Sequence, residues 1–289
     1  MISAGGGEEE YALKMDFLGD CKVVILDMDG TLYQDEGFIA RNVAYLAEGT
    51  RWQGREDDIT AKCFELIRGQ LPLKLGHFYE TDASLHCETV EELFAVTPVE
   101  NRRSDGFEER FFDHNKHFTY MGDAWSVTFF IGERMGIPRA RGTECFLKVR
   151  EEMLEGPFAM HLHEDIKEAV GQVTASGKKT YIFTNTQQVG AEGFIRKLGL
   201  LDRVYQVKYG TNKPYGLDTL LPQILKETGV RPEEMLSIGD HTFNDLSPIK
   251  KFGGKTICMS PYEIHDNVQW DARLTTLDQL CDTLRQLAR

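Results

Sequence analysis

Short apolar runs rich in Val and Ile recur along this chain, and most are followed by a stretch in which apolar residues return every three or four positions. Residues 21–26 form such a run and stop abruptly at Asp27, which predicts a strand buried on both faces. After a long gap the rhythm resumes. Helix is predicted over 165–175, strand over 179–184, helix over 189–198, a short strand near 204–207, helix over 217–228 and strand over 235–239. A helix beginning near Asn244, a strand over 255–259 and a last helix over 277–287 complete it. Alternation of this kind predicts an α/β fold, a doubly wound (Rossmann-like) parallel sheet with helices on both faces and ligands at the carboxyl ends of its strands.

Residues 37–156 break the rhythm. Stretches at 43–46, 59–67 and 90–94 carry helical spacing without buried strands between them, which predicts an inserted, mostly helical cap domain. An insertion directly after the first strand is placed to cover the strand ends, exclude water and choose substrates. The expected division is a flexible N-terminal segment at 1–19, a core at 20–36 and 157–289, and the cap at 37–156.

Composition changes this picture little. The chain has 289 residues, 41% hydrophobic and 27% charged, an ordinary globular profile. A formal net charge of -13 argues against broad binding to nucleic acid or an anionic membrane, so an anionic ligand would need a local positive feature. The six cysteines are scattered with no CxxC pair, which indicates neither zinc nor a redox motif and fits reduced thiols. With no signal-like segment and no run of 18 apolar residues, a cytoplasmic protein is expected, as monomer or homodimer.

Candidate chemistry clusters where the predicted strands end. Asp27 and Asp29 flank one residue, and alternate side chains on extended backbone point the same way, so two carboxylates can bind a hard cation or divide nucleophile and acid duties. Thr184 and Asn185 follow the second core strand and offer donors for phosphate oxygens, although both also suit a helix N-cap. Lys213 stands in a Gly- and Pro-bounded loop from which a fixed ammonium can neutralise a phosphoryl group. Asp240, Asn244 and Asp245 follow the strand at 235–239; crowded carboxylates with no His or Cys among them suit Mg²⁺. Asp245 alone is explained equally well as a first-turn acid facing the helix dipole.

DMDGT at Asp27, FTN at Thr184, KPYG at Lys213 and GDHTFND at Asp240 resemble, in order and spacing, the four motifs of the haloacid dehalogenase-like superfamily. The resemblance covers about 22–37 and 165 to the C-terminus; the insertion carries no assignable motif. It implies that Asp27 attacks phosphorus to form an aspartyl-phosphate and that Asp29 protonates the leaving oxygen, then activates water. Thr184, Asn185 and Lys213 are expected to bind the substrate phosphoryl group. Mg²⁺ is expected on the Asp27 carboxylate, the Asp29 backbone carbonyl and Asp240, with Asp245 in support. The implied activity is hydrolysis of a small phosphorylated metabolite. A dehalogenase resembles DxYGT at the first motif rather than DxDGT, and a phosphonatase needs a Schiff-base lysine that neither Lys62 nor Lys74 is marked to be. A mutase that passes the phosphoryl group to another sugar hydroxyl and a non-catalytic binding protein are the rival readings.

The remaining candidates are weaker. His114 with His117 and His161 with His163 lack a third ligand, and such pairs are usually surface residues. His241, inside a motif loop, is a candidate for touching substrate. Phe107, Phe111, Phe112, Phe118 and Tyr120 suit the insertion's core or a pocket lining better than base stacking.

Overall fold

A computed structural model describes residues 15–81, 87–99 and 118–289. The chain divides into two compact units. One comprises residues up to Gln34 with His161–Pro261 and Val268–Arg289; the other comprises Asp35–Met160 with Tyr262–Asn267. The six residues 262–267, which the sequence groups with the sheet, thus leave it between two strands and join the inserted unit. There the His265 amide donates to the Leu75 carbonyl at 2.9 Å and the Tyr120 hydroxyl to Asp266 at 2.7 Å.

Before the first strand, Asp16–Asp20 form a 3₁₀ turn with Leu18 buried, where the sequence predicts a flexible segment. Strand β1 (Val23–Asp27) is buried along its whole length, which explains its unbroken apolar run: both faces are covered. The inserted unit carries α1 (Gly37–Ala47), α2 (Glu56–Ile67), β2 (His77–Glu80), α3 (Val90–Leu93), β3 (Phe118–Met121), α4 (Ala124–Arg134) and α5 (Arg139–Leu154). It is mostly helical as expected, but β2 and β3 pair antiparallel. Phe107, Phe111 and Phe112, like His114 and His117, lie outside the described residues.

The chain then returns through α6 (Ile166–Ala175), β4 (Lys179–Phe183), α7 (Gln188–Lys197), β5 (Gln206–Lys208), α8 (Leu217–Thr228), β6 (Met235–Gly239), α9 (Ser247–Phe252), β7 (Lys255–Met259), β8 (Ala272–Leu274) and α10 (Leu277–Leu287). The strands form one six-stranded sheet in the order β5-β4-β1-β6-β7-β8, every pair parallel. The chain runs outward from β1 through β4 to β5, then restarts at β6 on the other side of β1 and runs outward through β7 to β8. That reversal beside β1 is the topological switch point, where the loops after adjacent strands part and leave a crevice.

One face of the sheet is packed by Val23, Ile25, Tyr181, Phe183 and Met235 against Leu217, Leu221 and Ile224 of α8 and Ile249 of α9. Helices α6 and α10 pack on one another, with Val170 and Val173 buried on the first and Leu280 and Leu284 on the second. All six cysteines are buried and free. No helix among the described residues is long and apolar enough to cross a membrane.

Candidate active site

Strand register aligns the chemistry before any side chain is considered. Asp27, the last residue of β1, lies opposite Phe183, so Thr184 emerges one step beyond it; Leu26 lies opposite Ile238, so Gly239 and Asp240 emerge at the same edge on the other side. The sheet therefore delivers three loops to the switch point.

Lys213 joins them from the loop before α8. Its side chain is 5% exposed, and its ammonium donates to Asp27 Oδ1 at 2.5 Å, Asp245 Oδ1 at 2.6 Å and the Phe183 carbonyl at 3.2 Å. All three donors of the ammonium are thus used. Asp27 also accepts from the Thr31 hydroxyl at 3.4 Å through Oδ2.

Asp245 reaches the lysine because of how β6 ends. A π-helical turn, Thr242–Leu246, stands where the sequence predicts the start of an α-helix, and it brings Asp245 back over the strand end. A Cβ added at Gly239 would lie 2.5 Å from the Asp245 side chain, so the strand can approach this turn only with glycine there. The turn is held by the His241 amide on Asp245 Oδ2 at 3.1 Å, by the Asn244 amide on His241 Nδ1 at 3.2 Å, and by the Ser237 hydroxyl on the Asp245 carbonyl at 2.9 Å. His241 therefore has a structural task as the cap of this turn.

Carboxylate oxygens of Asp27, Asp240 and Asp245 all lie within 4.8 Å of one another. Three carboxylates around one ammonium leave excess negative charge at a nearly closed sheet edge, and an all-oxygen donor set of this kind fits a hard divalent cation. Asp29 stands outside that cluster: its Oδ1 accepts from the hydroxyl of Tyr33, a buried residue four positions on, whose ring packs against Phe194. The sequence reading missed Tyr33, and its i+4 spacing within a turn is the only signal it left.

Burial pushes the Asp27 carboxyl up, to about 8, with Asp245 and Asp29 adding to the push and the Lys213 ammonium opposing it. Burial also works against the Lys213 ammonium, yet Asp245 and Asp27 more than offset it and hold its pKa above the ordinary lysine value. A cation among the carboxylates acts in the same direction as Lys213, favouring the ionised Asp27.

Thr184 and Asn185 are placed differently from one another. Thr184 is buried; its hydroxyl accepts from the Thr186 amide at 3.1 Å, and its carbonyl accepts from the Thr211 amide at 3.1 Å. Asn185, expected to reach substrate, instead directs its side chain to the Lys213 loop. Away from the site, His163 Nε2 lies 3.1 Å from Asp278 Oδ1 and its Nδ1 3.6 Å from Cys281 Sγ, tying the segment before α6 to α10.

The family model of the haloacid dehalogenase-like hydrolases matches residues 21–253. The chain belongs to that family. Among solved structures, this hydrolase is similar to the HAD hydrolase YfnB of Bacillus subtilis bound to magnesium, at 15% identity over 91% of this chain and 98% of that one, with a TM-score of 0.53. A predicted phosphoglycolate phosphatase from Haemophilus somnus 129pt gives 14% identity over 91% and 98%, with a TM-score of 0.46. A 2-haloacid dehalogenase from Pseudomonas syringae gives 18% over 92% and 99%, with a TM-score of 0.43. No curated protein matches the chain. At 15% identity the likeness to YfnB speaks for the fold alone, and the reaction of this haloacid dehalogenase-like hydrolase rests on its own residues.

Proposed function

We propose that this hydrolase cleaves phosphate monoesters of small metabolites, with Asp27 as nucleophile. The observation that carries the reading is the buried contact of Lys213 with both Asp27 and Asp245, beside Asp240. It gathers an attacking carboxylate, a fixed positive charge and oxygen ligands at one point, which is what phosphoryl transfer asks of a protein.

In this reading Asp27 attacks phosphorus, the bond to the leaving oxygen breaks, and Asp29 gives that oxygen its proton. Asp29, now ionised, takes a proton from water; the hydroxide attacks phosphorus, the Asp27–phosphorus bond breaks and inorganic phosphate leaves. The Thr184 hydroxyl donates to a phosphoryl oxygen, and the Lys213 ammonium, its three donors held by Asp27, Asp245 and the Phe183 carbonyl, offsets the negative charge of the transferring group through its field. Asp27, Asp240, the Asp29 carbonyl and Asp245 would hold Mg²⁺, which would supply positive charge against the transferring group. Asp29 supports hydrolysis of esters over dehalogenation, because a halide leaving group needs no proton.

Release of inorganic phosphate from a panel of metabolite esters, with Mg²⁺ and with a chelator, tests this. Wild type should turn over at least one ester only with the metal, and Asp27→Asn should lose about 10⁴-fold or more, since the covalent route closes. Equal rates for wild type and Asp27→Asn would remove Asp27 as nucleophile.

A further inference from the structure

The side chain of Asn185 spends both ends of its amide on one neighbour. Oδ1 accepts from the Lys213 backbone amide at 2.6 Å, and Nδ2 donates to the Lys213 backbone carbonyl at 3.1 Å. The two contacts fix which end is which, since the N–H can only donate and the carbonyl only accept. Oδ1 also accepts from the Thr211 hydroxyl at 3.1 Å, and that hydroxyl in addition reaches the Thr184 carbonyl, likewise at 3.1 Å. The amide thus pairs with Lys213 as a neighbouring strand would.

The loop needs such a partner. Asn212 just before the lysine has φ +51°, a left-handed turn that asparagine tolerates better than other non-glycine residues. Gly216 closes the loop so tightly that a Cβ there would lie 1.9 Å from the Thr211 carbonyl oxygen. At the far end of the lysine, its ammonium meets Asp27 and Asp245 at 2.5 and 2.6 Å. Those contacts can be kept only if the lysine's own backbone is held in place, and Asn185 grips its N–H and its carbonyl together.

We infer that Asn185 is a positioning residue: it acts on the reaction through Lys213, by clamping that residue's backbone to the end of β4, rather than by touching substrate. The inference rests on the phosphatase reading for its kinetic consequence, and on geometry alone for the clamp. A direct ligand and a clamp differ in one measurable respect. Truncating a direct ligand costs the same whether or not Lys213 is present, whereas truncating a clamp costs nothing once the side chain it positions has gone.

The experiment is a double-mutant cycle of Asn185→Ala and Lys213→Ala, read both as kcat/KM on the best ester and as Kd for inorganic phosphate in Mg²⁺. Asn185→Ala alone should weaken each by about tenfold, equivalent to about 1.4 kcal/mol and near one or two lost hydrogen bonds. In the Lys213→Ala background the same change should have less than about a twofold effect. A full tenfold loss in both backgrounds would overturn the clamp and return Asn185 to direct substrate contact, or to a merely structural role. Should Asn185→Ala melt at a much lower temperature than wild type, Asn185→Ser carries the cycle instead. If wild type hydrolyses no ester, the phosphatase reading falls, while the phosphate-affinity cycle still decides the clamp.

Discussion

Gly30 sits where no other residue can. Its φ is +77°, and a Cβ built there would lie 2.0 Å from Asp240 Oδ2, so the carboxylate rests directly on the glycine's α-carbon. Gly30→Ala should therefore act twice. Left-handed backbone costs an alanine about 1–2 kcal/mol, and the methyl group drives Asp240 out of the carboxylate cluster. A displacement of about 1 Å at a catalytic cluster is worth about 100-fold in rate. The expected outcome is a folded protein with a modestly lower melting temperature, about 100-fold lower kcat/KM and a raised Mg²⁺ requirement, read by melting curves and metal titration. A variant that loses stability but keeps wild-type metal dependence would show that Asp240 is not a ligand. The same residue scale holds what the sequence leaves hidden. Asp27 and Asp240 are legible because each ends an apolar strand, but Tyr33 on Asp29 and Asn185 on Lys213 are contacts between side chains and turns whose paths no periodicity specifies.

Among the elements, the central strands and the amphipathic helices that cover them are the most legible. β6, β7, α8 and α10 fall at the predicted bounds, because a central parallel strand is a continuous apolar run and an amphipathic helix on it repeats every three to four residues. β8 is three residues at the sheet edge with an arginine in the middle, β2 mixes Glu and His with aromatic residues, and β3 is four residues with a threonine among its aromatics, so none of these patterns stands out. The turn after β6 is a different kind of miss: an extra residue per turn leaves no mark in composition. How β6 begins can be tested by pH. Glu234, just before it, accepts from Lys22 at 2.6 Å and from the Arg231 amide at 2.8 Å, tying the start of β6 to the start of β1. The Lys22 contact first, then the Arg231 amide, pull its carboxyl down to about 2. A depressed carboxyl contributes stability that is fully present above the ordinary value near 4.5 and is lost as pH falls from there through about 2. Glu234→Gln should thus lower the melting temperature at pH 7, and the gap to wild type should close by about pH 2–3. A gap of constant size across that range would mean the carboxylate is not what holds the two strand ends.

At the scale of the whole molecule, the candidate site is a place where the fold works against itself. The sheet edge holds Asp27, Asp240 and Asp245 around a single lysine, inside a chain of net charge -13, so repulsion at the site adds to a general excess of negative charge. A ligand that binds only the folded state stabilises it by mass action, about 2.7 kcal/mol when present at 100 times its Kd. For domains of this size that corresponds to a rise of about 5 °C or more in melting temperature. Any divalent salt also screens the overall charge, so the comparison has to be made against NaCl at equal ionic strength. On that footing Mg²⁺ should raise the melting temperature of wild type and leave Asp240→Asn nearly unmoved, while Asp240→Asn without metal should melt at or above wild type because one of the crowded charges has gone. The chain's two compact units sharpen the test, since calorimetry that resolves two transitions should show only one of them responding. If Mg²⁺ stabilised Asp240→Asn as much as wild type, its effect would belong to the surface charge as a whole, and the carboxylate cluster would have to be explained by the lysine alone.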